Sequence, residues 1–431
     1  MAREMKHSGI EWIGEIPKEW KLSRLKYYSS FINGFAFNSD VFTLEFGCKV
    51  IRIGDISQRL DFEKCVRANV KTELLQPYRI NNNDIVIAMS GATTGKCCVA
   101  HNVEEAYINQ RVGIIRCKNY SYIYYLLQTD SFMEYIKLNN AGSAQPNVSG
   151  SSIGNYPLLV PPLSEQQKIA SYLDKVCGEV DEMIALQEQM IEELKAYKQS
   201  VITEAVTKGL NPDVPMKDSG IDWIGDIPEE WKVVKLSLLT SKIGSGSTPT
   251  GGANVYVSEG VKFLRSQNVY FEGLDLSEVA HITDNIDEEM KGTRVLPGDV
   301  LLNITGGSIG RCYYVDETLG KANVNQHVSI IRPKTIDTKY LKYSLQSSLG
   351  QEQVSLFQTG GNREGLSAAA LSNFRMLLPS KDEQQSIASY LDAKCAEIDA
   401  LIAIKQAKID ELKDYKKSVI YEYVTGKKEV V

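Results

Sequence analysis

Apolar residues recur at heptad spacing over two long stretches of the chain. The first stretch follows Ser164, a residue type that favours a helix N-cap, and Gln167 stands three positions later, as in a capping box. Gly209 and Pro212 are stop signals, so we predict a helix from 165 to about 208, roughly 60 to 65 Å long at about 1.5 Å per residue. Its predicted seam is Ile169, Leu173, Val176, Val180, Met183, Gln187, Met190, Leu194, Tyr197 and Val201.

The second stretch begins after Pro379 and predicts a helix to about Thr425, ahead of Gly426. Each apolar stripe must be buried, and a long helix pairs most simply with its own copy. A tandem duplication with pseudo-two-fold symmetry makes that pair antiparallel. The alternative is that the two helices pack on separate domains. The second apolar face is Ile398, Leu401, Ile402, Ile409, Leu412, Tyr415 and Val419, with Lys394, Lys405 and Lys408 at seam positions.

Between the helical stretches lie β-rich runs broken by Gly, Pro and Asn signals, which predict mixed α/β domains with short strands. Each set of strands is followed by a helical segment and a polar loop. The first set is VIRIGDI from Val50, DIVIAM from Asp84, CCVA from Cys97 and RVGIIR from Arg111. The second set is FLRSQNV from Phe263, DVLLNI from Asp299, CYYV from Cys312 and HVSIIR from His327.

The chain is a tandem repeat. Residues 5–21 return as residues 216–232 with 13 of 17 positions identical, and EQQKIASYLD from Glu165 returns as EQQSIASYLD from Glu383. We call 5–21 and 216–232 the lead-in segments. We predict an α+β protein in which two similar domains are separated by an antiparallel coiled coil of two long helices. The predicted segments are 1–160 (first domain with its lead-in), 161–210 (central helix), 211–378 (linker, lead-in and second domain), 379–426 (C-terminal helix) and 427–431 (tail).

The net charge of −6 is unevenly distributed. Residues 21–160 hold 15 basic and 11 acidic residues, residues 232–378 hold 15 and 14, and the duplicated remainder holds 18 and 29. This asymmetry favours a phosphate-facing surface on the variable domains and an acidic surface on the helical frame. The alternative is that imbalances this small have no functional meaning.

The eight cysteines form no C-x-x-C pair, which favours reduced core cysteines over zinc ligands or disulfides. The first thirty residues lack an apolar signal region, and no run approaches the roughly 18 apolar residues of a membrane span. We therefore expect a cytoplasmic protein with no membrane partner.

No catalytic constellation is evident in the sequence. SGATTGKC from Ser90 is one residue short of a phosphate-binding P-loop, and Cys97 stands where a Ser or Thr would hold magnesium, so a strand-to-strand turn is the better interpretation. Asn211-Pro212-Asp213 lacks the second Pro and the aromatic residue of an aminomethyltransferase motif and is interpreted as linker. We expect a non-enzymatic chain that binds no metal.

The order S-G-I-x-W-I-G-x-I-P-x-x-W, variable domain, E-Q-Q-x-I-A-S-Y-L-D, long helix, and then all of these again, resembles the specificity subunit of type I restriction-modification enzymes over the whole chain. The resemblance implies two target recognition domains that read double-stranded DNA. It also implies two modification subunits, which carry S-adenosylmethionine and methylate adenine N6, and two restriction subunits driven by ATP and Mg. No cofactor is then expected on this chain.

Two unlike readers on a rigid spacer should recognise a bipartite, asymmetric DNA site with half-sites about one helical turn, roughly 10 bp, apart. Arg and Lys suit guanine, Asn and Gln suit adenine, and small hydroxyls adapt to either. DNA-binding candidates in the first domain are Arg52, Ser90, Thr93, Thr94, Lys96, Asn109, Gln110, Arg111, Ser143, Gln145 and Asn147. Those in the second are Arg265, Gln267, Asn268, Asn303, Thr305, Ser308, Arg311, Asn325, Gln326, His327, Asn362 and Arg363.

Each candidate has a structural alternative, namely an exposed turn or a hydrogen bond that holds the fold. Asn109-Gln110 and Asn325-Gln326 recur in both domains, which favours a fold or phosphate role, whereas Gln145 and Arg363 lie on loops that differ and are better specificity candidates. The lead-in tryptophans, Trp12, Trp20, Trp223 and Trp231, are expected to pack rather than to stack on bases. Acidic residues on the helices, Glu192, Glu193, Asp410 and Glu411, either dock basic partner helices or are simply solvated. A scaffold with two ligand-binding domains and no DNA is the rival function.

Overall fold

A computed structural model describes residues 3–10, 13–43, 45–57, 59–139, 147–358 and 365–430. Its contacts divide the chain into two units, each of which combines a variable domain with parts of both long helices. Unit 1 comprises Met1–Glu188 and Ala407–Val431, and unit 2 comprises Gln189–Gln406.

The variable domain of unit 1 contains two sheets. One has the antiparallel strand order β4-β11-β8-β9, and the other has the order β10-β6-β7-β5, in which β10 and β6 are parallel. The strands are β1 (Met5–His7), β2 (Glu15–Pro17), β3 (Lys21–Arg24), β4 (Ser30–Asn33), β5 (Phe42–Thr43), β6 (Cys48–Ile51), β7 (Val66–Ala68), β8 (Ile85–Ala88), β9 (Cys97–Val99), β10 (Ala106–Ile108), β11 (Val112–Arg116) and β12 (Pro157–Val160). The helices are α1 (Tyr120–Leu127), α2 (Asp130–Asn139), α3 (Gly150–Gly154) and the start of α4 (Leu163–Lys208).

Unit 2 repeats the first sheet with the order β16-β23-β20-β21. Its second sheet, β18-β17-β22-β19, again contains a parallel pair, β17 and β22, but its fourth strand β19 pairs with β22, whereas β5 of unit 1 pairs with β7. Its strands are β13 (Met216–Asp218), β14 (Asp226–Pro228), β15 (Lys232–Lys235), β16 (Thr240–Ser245), β17 (Val261–Leu264), β18 (Ala280–Ile282), β19 (Arg294–Val295), β20 (Val300–Asn303), β21 (Cys312–Tyr314), β22 (Ala322–Val324), β23 (Val328–Pro333) and β24 (Arg375–Leu378). Its helices are α5 (Leu236–Leu239), α6 (Asp284–Glu289), α7 (Thr338–Gln346), α8 (Ser348–Leu356), α9 (Ala368–Ser372) and part of α10 (Lys381–Val424).

Each predicted run contains a strand, but in VIRIGDI and FLRSQNV the strand ends at Ile51 and Leu264, and a short 3-10 turn follows (Ile53–Asp55 and Ser266–Asn268). The shared fold of the two domains is confirmed. The helical segment after each set of strands is two helices rather than one. In unit 2 the break falls at Ser347, whose backbone is extended and whose hydroxyl accepts a hydrogen bond from the Gly350 N–H at 3.2 Å. An N-cap serine within the segment therefore ends one helix and starts the next.

The long helices run antiparallel within each unit, as predicted. In unit 1 the rings of Tyr172 and Tyr423 lie 4.5 Å apart, and nine residues further along α4 Asp181 accepts hydrogen bonds of 2.6 Å from Lys416, seven residues earlier in α10. In unit 2 the corresponding ion pair joins Lys198 to Asp399 at 2.7 Å. Equivalent Lys–Asp ion pairs therefore join the two long helices in both units.

The predicted seam of α4 is wrong at two of its ten positions, Met183 and Tyr197. Leu173 and Val180 are buried as expected, but Met183 is 45% exposed and Tyr197 is 51% exposed, while Ile184 and Ile191 are buried. Apolar residues occupy both 183 and 184, and both 190 and 191, so the sequence permits two spacings of the stripe. Packing selects the later residue of each pair. In α10, Leu401 and Tyr415 of the predicted face are likewise exposed.

Each lead-in segment is fixed to the start of a long helix. The Trp20 Nε1–H donates to Glu165 Oε2 at 3.0 Å in unit 1, and the Trp231 Nε1–H donates to Glu383 Oε2 at 3.0 Å in unit 2. Both indoles are buried, which confirms that these tryptophans pack. The duplicated Trp and Glu are therefore the two halves of one contact.

A buried ion pair that sequence reasoning missed holds the sheet of each domain. Arg116 makes two hydrogen bonds of 2.7 Å to the buried carboxylate of Asp84. In unit 2 Arg332 contacts the buried carboxylate of Asp299 in the same way at 2.7 and 2.9 Å. Bidentate geometry satisfies both carboxylate oxygens, which a buried charge requires.

Replacing Glu383 with Ala should destabilise unit 2, because the buried Trp231 N–H loses its acceptor. We expect a loss of about 1–3 kcal/mol in the free energy of unfolding, measured by urea titration of the full chain. Glu383→Gln keeps an acceptor oxygen and should cost less. Equal losses for the two variants would show that the hydrogen bond is not what stabilises this contact.

Lys342 of α7 should make the stability of unit 2 depend on alkaline pH. Its ammonium nitrogen lies 3.3 Å from the centroid of the Tyr343 ring, and burial lowers the pKa of Lys342 to about 8. Above this value the unfolded chain binds this proton more tightly than the folded chain, so the contribution of Lys342 to stability should rise between about pH 8 and 10, opposing the loss that the raised pKa of the Cys312 thiol produces above about pH 9. Lys342→Met should remove that rise in pH-dependent urea unfolding. An unchanged pH profile would contradict the assignment.

Candidate functional site

Backbone hydrogen bonds bring the candidate loops of unit 1 together at one end of its sheets. The Asn109 N–H donates to the Ile51 carbonyl at 3.0 Å, beside Arg52. The Met89 N–H donates to the Arg111 carbonyl at 2.9 Å. The Val148 N–H in turn donates to the Met89 carbonyl at 2.9 Å, which adds the segment of Asn147. Loops that are far apart in sequence therefore form one surface.

Unit 2 builds the same surface with the same contacts. The Asn325 N–H donates to the Leu264 carbonyl at 3.0 Å, and the Ile304 N–H donates to the His327 carbonyl at 3.0 Å. The Leu366 N–H donates to the Ile304 carbonyl at 2.9 Å. We call these two equivalent loop surfaces site 1, formed by residues 52–55, 90–96, 109–111 and 147, and site 2, formed by residues 265–268, 305–311, 325–327 and 365.

A glycine in each unit permits the close approach on which its loop surface depends. A Cβ atom on Gly34 would lie 2.0 Å from the Asn109 carbonyl oxygen, and one on Gly246 would lie 2.0 Å from the Val324 carbonyl oxygen. Any other residue would push the strand away from the loop behind it.

Site 1 presents long polar and basic side chains. Its exposed candidates are Arg52, Lys96, Gln110, Arg111 and Asn147. The Ser90 and Thr93 hydroxyls are buried and have no hydrogen-bond partner among the described residues, whereas the Thr94 hydroxyl donates to the Gly91 carbonyl at 2.7 Å. Asn109 is half-buried. Site 1 is therefore basic and has hydrogen-bonding capacity left unused.

Site 2 uses more of its polar groups internally. Its candidates outside the core are the exposed Gln267 and Gln326 and the half-buried Arg265, Thr305, Ser308, Arg311 and His327. Asn268 is buried, donates to the Asp275 carbonyl at 2.8 Å and accepts from the Arg265 N–H at 2.9 Å. Asn303 is buried and donates to the Ser266 carbonyl at 2.8 Å. For these two side chains the structural alternative is favoured, because their amides face inward.

A polar chain crosses the surface of site 2. His327 Nδ1 lies 2.6 Å from Thr305 Oγ1, and its Nε2 lies 3.0 Å from Gln326 Nε2. The Thr248 hydroxyl donates to Gln326 Oε1. Because the Gln326 amide nitrogen can only donate, His327 Nε2 is the acceptor and its Nδ1–H points to Thr305. Site 1 has Arg111 where site 2 has His327, so equivalent positions carry different chemistry.

Some predicted residues lie outside the described part of the chain, namely Ser143, Gln145, Asn362, Arg363 and Trp12. Sequence reasoning also missed residues that contribute to site 2. The guanidinium carbon of Arg311 lies 5.0 Å from the centroid of the Tyr270 ring, and that of Arg265 lies 5.8 Å from the Tyr256 ring. Tyr256 precedes Arg265 by nine residues, but Tyr270 and Arg311 are 41 residues apart, so the sequence carries no signal for their contact.

The described residues offer little to a metal or a nucleophilic mechanism. Among them, no group of three or more His, Cys, Asp or Glu side chains is placed to hold a metal ion. The eight cysteines are free, and burial raises the pKa of the Cys98 and Cys312 thiols to about 12. No helix in the described ranges is both long and apolar enough to cross a membrane.

Both halves of the repeat match one protein family. The sequence model of the type I restriction modification DNA specificity domain matches residues 17–196 and again 228–414. The chain therefore belongs to this family of DNA specificity proteins, and both halves of the repeat carry the family's features.

Similar proteins point the same way. The chain is 27% identical over 360 residues to the type I restriction enzyme MjaVIII specificity subunit of Methanocaldococcus jannaschii, covering 81% of this chain and 80% of that protein. It is 26% identical over 418 residues to the EcoBI specificity subunit of Escherichia coli, covering 93% and 84%. A chain from a solved structure on complex assembly and conformational transition of the type I R-M system has the same fold, with a TM-score of 0.69, 16% identity and coverage of 95% and 98%.

Gly246→Ala should disrupt site 2, because the added Cβ meets the Val324 carbonyl oxygen at 2.0 Å. We expect a loss of about 1–3 kcal/mol in unfolding free energy, the usual cost of overpacking. Gly244→Ala is the matched control, since a Cβ there meets nothing within 4 Å. Urea unfolding of both variants measures the effect, and similar stabilities would show that the close approach is not required.

Proposed function

We propose that this chain is the DNA sequence-recognition subunit of a type I restriction-modification complex, and that each of its two loop surfaces contacts one half of a bipartite, asymmetric site. The observation that carries the proposal is one backbone framework built twice with different side chains. Lys96 of site 1 corresponds to Arg311 of site 2, and Arg111 corresponds to His327. Equal frames with unequal side chains suit two unlike half-sites.

Site 1 and site 2 each combine the two kinds of group that DNA recognition requires. Exposed basic side chains such as Arg52 and Lys96 suit phosphate contacts, which supply affinity and position the protein. Exposed amides such as Gln110, Gln267 and Gln326 can reach base edges, where sequence is read. This division leaves the buried Asn268 and Asn303 to hold the loops.

Chemistry is assigned to partner subunits in this proposal. Two modification subunits would carry S-adenosylmethionine and methylate adenine N6, and two restriction subunits would use ATP and Mg. The chain itself would bind no cofactor and catalyse no step, and the related proteins named above are specificity subunits. A scaffold that binds no DNA is not favoured, because the matched family is one of DNA specificity domains.

Three of the acidic helix residues form pairs within their own helix. Glu192 pairs with Lys195 at 2.8 Å, and Glu411 pairs with Lys408 at 3.1 Å, each within its own helix. Glu193 accepts a hydrogen bond from Gln189 at 2.7 Å. Local pairing of this kind is ordinary on exposed helix faces, which favours the solvated alternative for these three residues.

Mapping methylated adenines in a host that carries the chain and its modification subunit should reveal one motif with two unlike halves. Gel-shift binding of the assembled complex to duplexes of that motif should depend on both halves. Lys96→Ala should weaken binding and reduce its dependence on salt, because one phosphate contact is lost. A contiguous motif, or methylation by this chain alone, would contradict the proposed function.

A further inference from the structure

Two arginines of site 2 are held against tyrosine rings. Arg311 stacks on Tyr270 with 5.0 Å from guanidinium carbon to ring centroid, and Arg265 stacks on Tyr256 at 5.8 Å. Arg265 Nη2 donates to the Glu278 carbonyl at 3.3 Å, whereas no hydrogen bond or ion pair of the Arg311 guanidinium is found among the described residues. Stacking occupies the flat face of a guanidinium and leaves its edge N–H groups free to donate in one plane.

A buried amide fixes the loops that carry these arginines. Asn303 is 0% exposed, and its Nδ2 donates to the Ser266 carbonyl at 2.8 Å, next to Arg265. Its backbone N–H donates to the Arg311 carbonyl at 2.8 Å. The same Nδ2 lies 3.2 Å from Ser308 Oγ, within the loop that leads to Arg311. One side chain therefore ties both arginine loops to the end of β20.

Site 1 lacks this arrangement at the equivalent positions. Ala88 replaces Asn303, since its N–H donates to the Lys96 carbonyl at 2.9 Å just as the Asn303 N–H donates to Arg311. Lys96 replaces Arg311, and Ser57 stands where Tyr270 follows the short helical turn. Arg52 keeps its place but is exposed. The stacked, tethered arginines are therefore a property of site 2 and not of the shared frame.

We propose that the half-site read by site 2 contains a guanine, that Arg311 contacts its O6 and N7 edge with Arg265 as a second donor, and that Asn303 is a positioning residue for both. This inference rests on the proposed function. An arginine fork matches the two acceptors of guanine in the major groove, and a lysine does not reproduce that planar pair. A side chain already held on a ring loses less freedom when it binds, so the tyrosines favour a directional contact.

The test uses the full chain assembled with its modification subunit and a pool of duplexes with randomised sequence, from which the bound motif is recovered. Each guanine of the motif is then replaced singly by 7-deazaguanine, which lacks the N7 acceptor. We expect one such replacement to weaken wild-type binding on the order of tenfold or more and to leave binding by Arg311→Ala unchanged. Arg311→Lys should retain general affinity and lose discrimination at that base.

Two further variants separate positioning from stability. Asn303→Ala introduces the residue that site 1 has at the equivalent position. We expect this variant and Tyr270→Leu to bind the motif with less preference for that guanine. Their binding to a duplex in which that base is altered should equal that of the wild type. Lys96→Ala is the matched control, and it should weaken binding without relaxing discrimination there. A merely structural role for Asn303 would instead lower binding to every duplex equally.

The inference is overturned if the half-site that Arg311→Ala affects contains no guanine, or if that variant still discriminates fully at the guanine. It is also overturned if Arg311→Ala loses the same affinity for every sequence and its binding depends less on salt, because Arg311 would then be a phosphate contact. If the wild-type assembly recovers no motif at all, the proposed function fails, and the guanine contact is excluded along with it.

Discussion

The hydrogen bond between an indole N–H and a glutamate carboxylate at the start of each long helix is the contact on which the rest of each unit depends. Trp20 and Glu165 make it in unit 1, and Trp231 and Glu383 make it in unit 2. Both partners come from duplicated blocks that are far apart in sequence, so neither block can drift without leaving a buried N–H unsatisfied. The exposed side chains on the loops at the sheet ends are not constrained by this hydrogen bond. This difference explains why the frame repeats while the loop surfaces differ.

Periodicity made the frame predictable. Heptad spacing predicted both long helices, and duplication predicted that they pair antiparallel, because these features are properties of local sequence. The predicted α4 seam was wrong at Met183 because its neighbour Ile184 is also apolar, and only packing decides which of the two is buried. The pair of Asp84 and Arg116, 32 residues apart, has no period and no motif, so it could be found only in three dimensions.

For the two loop surfaces, the sequence predicted the residues but not the directions of their side chains. Their residue types and loops were evident from sequence, but the direction of a side chain on a short turn was not. Gln267 is exposed while its neighbour Asn268 is buried and hydrogen-bonded to the domain, although both are amides of similar chemistry. Which amide faces outward is set by the extended backbone at Arg265 and the turn that follows it, and composition does not encode that geometry.

The two surfaces also divide the energetics of recognition unequally. Site 1 presents Lys96 and Arg111 as exposed cations, which suit salt-dependent attraction to phosphate. Site 2 holds Arg311 on a ring, so less freedom remains to be lost when a contact forms. On the proposed function, site 1 contributes more to encounter and affinity, and site 2 contributes more to discrimination. On this proposal, a duplicated frame supports two readers whose contributions differ in kind, because the side chains on the equivalent loops differ.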